Sequence, residues 1–533
     1  MPGQLALILH AHLPYVRHPD HGRFYEEQWL FEAVAESYLP LLGMMQGWMD
    51  DGLDWHLSLT MTPPLCAMLE DRLLRERIGN YLAERLELAE SECLRWHLVP
   101  GARAAAEFAR DRYRRLIASW GAAKGELIPW FRRYLNTGHL EILCCAATHA
   151  FLPFLSSDAA TLGAQVELGV SEHRRHFGKQ PNGIWLPECA YSPELDRALV
   201  QAGLQWFPVE AHAFRNASPI PRTATFRPVL LPSGPTAFSR DTASARQVWS
   251  RAGGYPGDPR YREFHRDIAD DCDWEYVQRY LPGTENRVAT GIKLHRVTGS
   301  STEKAWYDRA QAMAATREHA RHFVAERLAT CEAAGSLING TPFITAPYDA
   351  ELFGHWWFEG PEFIDEVVRL CSSPDAGLQL ATPRDFLAQA PSLETCQIAA
   401  STWGQEGYAS VWLDPQNAWI QPRLRVLERR MREKVSDLNA SLDAPPRGVV
   451  RCLNQAAREL LLAQSSDWPF LLKMGTAGDY PARRVEEHLN AAEGLLESLG
   501  SPSLLDLRLV TSREHQFPIF PEIDALSLFR LRR

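Results

Sequence analysis

Short runs of apolar residues, each of strand length, recur along the chain at 5–9, 55–60, 140–147, 183–186, 205–209, 291–294, 343–346 and 378–381. Most are separated by stretches of helical periodicity. The clearest is 304–334, which a capping-box pattern at Ser300 and Glu303 opens and Gly335 closes. Alternation of this kind predicts parallel strands joined by helical crossovers. Seven or eight such units favour a closed barrel over an open doubly wound sheet, and no GxGxxG follows any run to mark a dinucleotide fold.

Two stretches break the rhythm. Residues 67–135 are rich in Leu, Glu and Arg and too long for one crossover helix, so they predict an inserted helical subdomain. Residues 210–290 carry Pro, Gly and Ser clusters with little periodicity, while Trp249, Tyr255, Tyr261, Phe264 and Trp274 argue for order, so a long functional loop is expected. Beyond residue 412 the pattern is helical, with amphipathic segments at 423–442 and 448–463. The division expected is a barrel over 1–411, containing the helical insertion 67–135 and an active-site loop at 228–257, followed by an α-helical C-terminal domain over 412–533.

Composition narrows the function. A chain of 533 residues that is 45 % hydrophobic exceeds what one core supports, since single cores stop growing near ~250–300 residues. Its net charge of −10, with Lys and Arg scattered, leaves no basic stripe for a nucleic-acid backbone. No run approaches the ~18 apolar residues of a membrane span, and the N-terminus has neither a basic n-region nor a cleavage site. Ten cysteines without CxxC or zinc-ribbon spacing read as reduced, mostly buried thiols, so a cytoplasmic setting is expected. Seventeen Trp and fifteen Tyr, several in loop-like contexts, would suit stacking on sugar rings.

In a barrel, polar groups at the C-terminal ends of the strands share one mouth. His10, His12, Thr60, His149, Glu188, Glu210 and Asp349 all fall at or just past an apolar run. Two of these are carboxylates flanked by aromatics: Glu188 by Trp185 and Tyr191, Asp349 by Tyr348 and Trp356. One acid at a strand end is more often a helix cap or an ion-pair member. Two such acids among aromatic rings match the equipment of a glycosidase, one attacking the anomeric carbon and the other protonating the leaving oxygen.

The segments His10-Ala-His-Leu-Pro14, Trp185-Leu-Pro-Glu-Cys-Ala190 and Tyr348-Asp-Ala-Glu-Leu-Phe-Gly-His-Trp-Trp357 resemble signature regions of glycoside hydrolase family 57. Ala147-Thr-His149, Val248-Trp-Ser250 with Gly254-Tyr-Pro-Gly257, Trp403-Gly404, Val411-Trp-Leu413 and Ser465-Ser-Asp-Trp-Pro469 resemble its 1,4-α-glucan branching enzyme subgroup. The resemblance covers nearly the whole chain. It implies an incomplete parallel (β/α)7 barrel with an inserted helical subdomain and a helical C-terminal domain. It also implies Glu188 as nucleophile and Asp349 as general acid/base. His10, His12 and His149 would line the donor subsite, Trp274, Trp403, Trp412 and Trp468 would wall a glucan groove, and Asp467 would hold a sugar hydroxyl. No cofactor or metal is implied, and the partner is an α-glucan polysaccharide such as amylose, glycogen or starch.

One departure stands out. Branching members of the family carry a flexible loop over the site, often tipped by Tyr, whereas this sequence between Arg227 and Gly254 has Phe238, Trp249 and no Tyr. Cleavage of α-1,4-glucan is therefore implied more firmly than transfer, and an α-amylase-like hydrolase and a 4-α-glucanotransferase are the near alternatives. A more distant one is a metal-dependent barrel hydrolase with His10 and His12 as a metal pair completed by His149 and Asp349.

Overall fold

A computed structural model describes residues 3–250, 253–282, 287–373, 375–389, 392–441, 444–500 and 505–530. The chain forms two compact units, one of Met1–Leu59, Met68–Glu141 and Asp241–Asp385, the other of Thr60–Ala67, Ile142–Arg240 and Phe386–Arg533. Nine strands occur among the described residues: β1 (Gly3–Ala11), β2 (Leu57–Met61), β3 (Leu140–Cys145), β4 (Ile184–Trp185), β5 (Trp206–Val209), β6 (Val229–Leu230), β7 (Thr236–Ser239), β8 (Phe343–Asp349) and β9 (Leu378–Leu380).

In the first unit, β1 pairs in parallel with both β8 and β9. Its core residues Leu5 to Leu9 are all buried, as expected of a parallel strand covered on both faces. The helix Gly360–Cys371 carries Pro361 in its first turn and turns Phe363, Ile364, Val367, Val368 and Cys371 inward. Residues 67–135 hold the long helices Arg72–Arg95 and Pro100–Ala122, then Ile128–Thr137. The first of these is capped by the Asp71 carboxylate, which accepts from the Leu74 N–H. Near the N-terminus a π-helical turn, Val34–Tyr38, interrupts the helical stretch between Glu27 and Asp50.

In the second unit, β3 and β4 are parallel neighbours, and β5, β7 and β6 form a three-stranded sheet with β5 and β7 parallel and β6 antiparallel to β7. Helix Ala159–Phe177, capped by Asp158 and ended by Gly178 in the left-handed region, approaches β3 closely. A Cβ at Gly169 would sit 2.0 Å from the Cys145 carbonyl oxygen. The C-terminal part of this unit is helical, comprising Ile420–Ala440, Arg447–Ala463, Asp467–Met474, Tyr480–Ser498, Leu507–Gln516 and Ala525–Leu528. The segment expected at 423–442 begins earlier, at Ile420, and its last residue lies outside the described residues. Buried Glu459 joins three of these helices through His488 Nδ1 at 2.7 Å and Arg513 Nη2 at 2.8 Å.

Three expectations are corrected. The apolar run 291–294 is not a strand: Ile292 and Leu294 are buried, but their carbonyls accept from Ile268 and Tyr307, so loop segments satisfy them. The long helix begins at Arg309, because Asp308 caps Ala310 and Gln311, while the chain before it is tied up by a bridge between His295 and Trp306. The stretch 228–257 is not a structureless loop. It holds β6, β7 and the helix Thr242–Trp249, and Phe238 lies fully buried in β7 with its ring edge-on to Trp206 and Phe386. None of the ten cysteines, all of them described, is in a disulfide, and nine are buried. No described helix is long and apolar enough to cross a membrane.

Candidate active site

Glu188 lies in the turn Pro187–Cys189 just past β4, and its backbone is unusual. Glu188 (φ 62°) and Cys189 (φ 46°) occupy the left-handed region in succession, as does His149 (φ 56°). Such residues without the freedom of glycine cost about 1–3 kcal/mol each and persist only where surrounding contacts over-determine them. Here those contacts are visible. Cys189 N–H donates to the Leu186 carbonyl at 2.8 Å, Ala190 N–H to Pro187 at 3.0 Å, and Trp403 N–H to the Glu188 carbonyl at 3.0 Å.

The Glu188 carboxylate, 9 % exposed, is held at both oxygens. The Trp403 indole N–H donates to Oε2 at 2.7 Å, and the Ser466 hydroxyl donates to Oε1 at 2.7 Å. His149 Nδ1 lies 2.8 Å from Ser466 Oγ and 3.8 Å from Glu188 Oε1. Since Ser466 directs its single proton at Glu188, His149 must carry its own proton on Nδ1 and donate it to Ser466. The Ser466 N–H returns a bond to the His149 carbonyl at 3.0 Å. Three side chains, Trp403, Ser466 and His149, thus define the direction in which one buried carboxylate points. Trp185 meets Trp403 edge-on at 5.3 Å, and the Arg240 guanidinium, paired with Glu210 at 2.5 Å, lies over the Trp403 ring.

Asp349 ends β8. The parallel register sets it opposite His10 of β1, and the His10 and His12 rings stack at 5.7 Å. Two residues on, buried Glu351 accepts from the His12 N–H at 3.2 Å and from the Tyr38 hydroxyl. Burial pushes the Glu351 carboxyl up to about 7, only partly offset by the Tyr38 bond. The π-helical turn supplies this neighbourhood with Glu36 as well as Tyr38: Glu36 binds His355 Nδ1 at 2.7 Å and Arg262 at 3.0 Å. Burial alone would raise Glu36, but Arg262 and His355 outweigh it and hold the carboxyl well below the usual range. Gly354 lets the two segments close up, since at φ +112° a Cβ there would stand 1.8 Å from the Glu36 carbonyl oxygen. Phe264 stacks on exposed Trp356 at 4.6 Å, and the Lys293 ammonium lies 4.1 Å from the Phe264 ring centre.

The structure therefore brings Glu188, His149 and Trp403 together in one group and His10, His12 and Asp349 in another. Asp467 accepts from Ser465 at 2.5 Å on the same short stretch as Ser466. Trp274 opens the short helix Trp274–Val277, half-buried beside Arg287. Trp412 and Trp468, expected as groove walls, are only 2 and 1 % exposed. Trp412 packs on Phe151 at 5.3 Å, and the Trp468 N–H is committed to the Leu462 carbonyl, so both act from within the core. Ser466 and Glu351 were missed as participants. Both lie inside the quoted motifs, but only their partners in space give them a role.

The sequence matches Glycosyl hydrolase family 57 over residues 6–399 and the family "1,4-alpha-glucan branching enzyme, C-terminal" over 424–527. It is 32 % identical over 520 residues to a 1,4-alpha-glucan branching enzyme of Thermococcus kodakarensis, covering 92 % of this chain and 72 % of that protein. Among solved structures it is similar to the alpha-amylase AmyC from Thermotoga maritima, at 38 % identity and TM-score 0.93 over all of both chains. The GH57-type branching enzyme from Pyrococcus horikoshii aligns at 31 % identity and TM-score 0.88, over 100 % of this chain and 98 % of that one. The fold shared with these structures is a parallel half-barrel sheet with helices and a helical C-terminal region.

Proposed function

Because the chain belongs to glycosyl hydrolase family 57, we propose that it is a 1,4-α-glucan branching enzyme, cleaving an α-1,4 bond with retention and transferring the glucan segment to an O6 hydroxyl. The observation that carries this reading is the match of residues 424–527 to the branching-enzyme C-terminal family behind a family-57 segment. Glu188 attacks the anomeric carbon while Asp349 protonates the departing O4. A glycosyl ester forms on Glu188, and Asp349 then takes the proton of the incoming O6 as that oxygen displaces the carboxylate. Such a retaining pair has its carboxyls about 5–5.5 Å apart, and a separation near ~6.5–9.5 Å would imply inversion.

The surroundings of Glu188 support this role. Two short donors on one carboxylate fix its rotamer for attack and stabilise it again as the leaving group of the second step. His10 and His12 offer ring nitrogens to donor-sugar hydroxyls, His149 offers its Nε2 as an acceptor because its Nδ1–H is committed to Ser466, Trp403 and Trp274 offer ring surface, and Asp467 an acceptor. The substrate is an α-glucan of the glycogen or starch type, and the site of action is cytoplasmic.

A second reading has its own support. The similarity to an alpha-amylase at 38 % identity favours net hydrolysis, as does the placing of Phe238 in a core strand instead of on a cover. Incubation with linear amylose, counting new α-1,6 linkages and new reducing ends separately, distinguishes them. Branches in excess support transfer, and reducing ends without branches would make the protein a hydrolase.

A further inference from the structure

The N-terminal ends of β2 and β3 carry a second cluster, on the side that a parallel barrel turns away from its active-site loops. Leu57 donates its N–H to the His139 carbonyl at 3.1 Å, which sets Trp55 and His56 beside His139. His56 Nδ1 lies 2.9 Å from Asp385 Oδ2, and its Nε2 lies 3.3 Å from Asp54 Oδ1. His139 Nδ1 donates to the Trp55 carbonyl at 2.9 Å while its ring stacks on the Trp55 indole at 5.1 Å. The two imidazoles meet edge to face at 5.9 Å. One ligand atom from each of Asp54, His56 and His139 lies within 4.8 Å of the others.

We propose that Asp54, His56 and His139 form a binding site for a divalent transition metal of the zinc class. In both rings Nδ1 is engaged by an oxygen, which fixes the tautomer and leaves Nε2 as the ligand atom, the arrangement that orients histidines in metal sites. Asp385 orients and does not ligate, since Arg384 holds its other oxygen at 3.1–3.2 Å. Two imidazole nitrogens and one carboxylate suit zinc, cobalt or nickel and not the all-oxygen shells of calcium or magnesium. Tetrahedral bonds of about 2.0–2.2 Å put ligand atoms roughly 3.3–3.6 Å apart. The Asp54–His56 separation already meets this. The Asp54 side chain, 85 % exposed, is free to swing the remaining distance, and the fourth position faces water. A bound ion would tie the starts of β2 and β3 together and raise the unfolding temperature by mass action.

The test uses the full chain, treated with chelator, dialysed and titrated with Co²⁺, whose visible d–d bands report tetrahedral nitrogen and oxygen ligation. The expected result is one Co²⁺ per chain, displaced by Zn²⁺, with a Zn²⁺-dependent rise in Tm. Asp54→Asn, at an exposed position, should weaken binding at least about tenfold, and the pair His56→Gln with His139→Gln should abolish the bands. Glucan cleavage should be the same in all forms. Absence of visible bands in the wild type, or bands undiminished in Asp54→Asn and in the double variant, would overturn the assignment.

Discussion

Replacing Ser466 with Ala removes one hydroxyl that donates to Glu188 at 2.7 Å and accepts from His149 at 2.8 Å. A hydrogen bond to a charged group contributes about 1.5–3 kcal/mol. At about 1.4 kcal/mol per tenfold in rate, the loss corresponds to roughly 10- to 150-fold. The upper part of that range is expected, because the same change also removes the bond between His149 Nδ1 and this hydroxyl. The direction is specific. The hydroxyl stabilises the full negative charge of free Glu188 more than the neutral ester, so its removal favours the ester and slows its departure. In Ser466→Ala the glycosyl-enzyme should therefore accumulate, with kcat and KM falling together. Steady-state kinetics with a maltosyl fluoride donor, and rapid-quench mass spectrometry of the intact chain, read both quantities. Ser466→Thr, which keeps the hydroxyl, should recover most of the rate. If Ser466→Ala leaves kcat within about twofold, or if Thr is as damaging as Ala in a stably folded chain, the hydroxyl does not position Glu188.

Glu188→Gln and Asp349→Asn should each lower turnover by several orders of magnitude while thermal unfolding stays near wild type. Only the Asp349 variant should recover on donors with a good leaving group, and substantial activity in Glu188→Gln would mean that another acid is the nucleophile. Glu351 binds its proton more tightly when folded, at about 7 against an ordinary 4.5, so its contribution to stability declines as pH rises between those values. Glu351→Gln should thus gain in unfolding free energy relative to wild type from pH 4.5 to 7 and level off above, by up to about 3 kcal/mol in denaturant titrations, and a gain independent of pH would refute the buried-acid argument. Phe238→Tyr adds a hydroxyl to a fully buried ring packed edge-on with Trp206 and Phe386, so denaturant unfolding should show a loss of about 1–3 kcal/mol with the ratio of branches to reducing ends unchanged. A shifted ratio in a stable variant would restore Phe238 to the substrate's side.

Strands whose apolar residues are contiguous and end at turn residues were legible: β1, β2, β3, β5 and β8 each overlap the run that predicted them. β6 and β7 were not, because their Pro- and Gly-flanked segments are too short to show a period, and pairing with β5 supplies what local pattern lacks. The run at 291–294 failed for the opposite reason: burial made it apolar, but the amides of Ile268 and Tyr307 and the side chains of Asp267 and Thr290, not a sheet edge, satisfy it. The capping-box pattern at Ser300 lost to Asp308 because backbone pairing of Arg296 with Ala305 occupies the intervening chain. At the site, Glu188 and His149 could be read from strand ends and motif. Ser466 could not, since its action depends on a hydroxyl meeting a carboxylate 278 positions away.

The consecutive left-handed residues Glu188 and Cys189 also constrain how this chain can be improved by selection. A screen that rewards heat resistance alone is drawn to positions where the backbone is strained, and Gly at 189 would be an easy gain there. The strain, however, is what presents the carboxylate to Ser466 and Trp403, so adaptive paths that relax it pass through variants with a looser nucleophile. Thermal robustness and catalytic competence therefore compete at a single peptide unit, and a campaign that scores both will leave this turn untouched and accumulate its changes elsewhere.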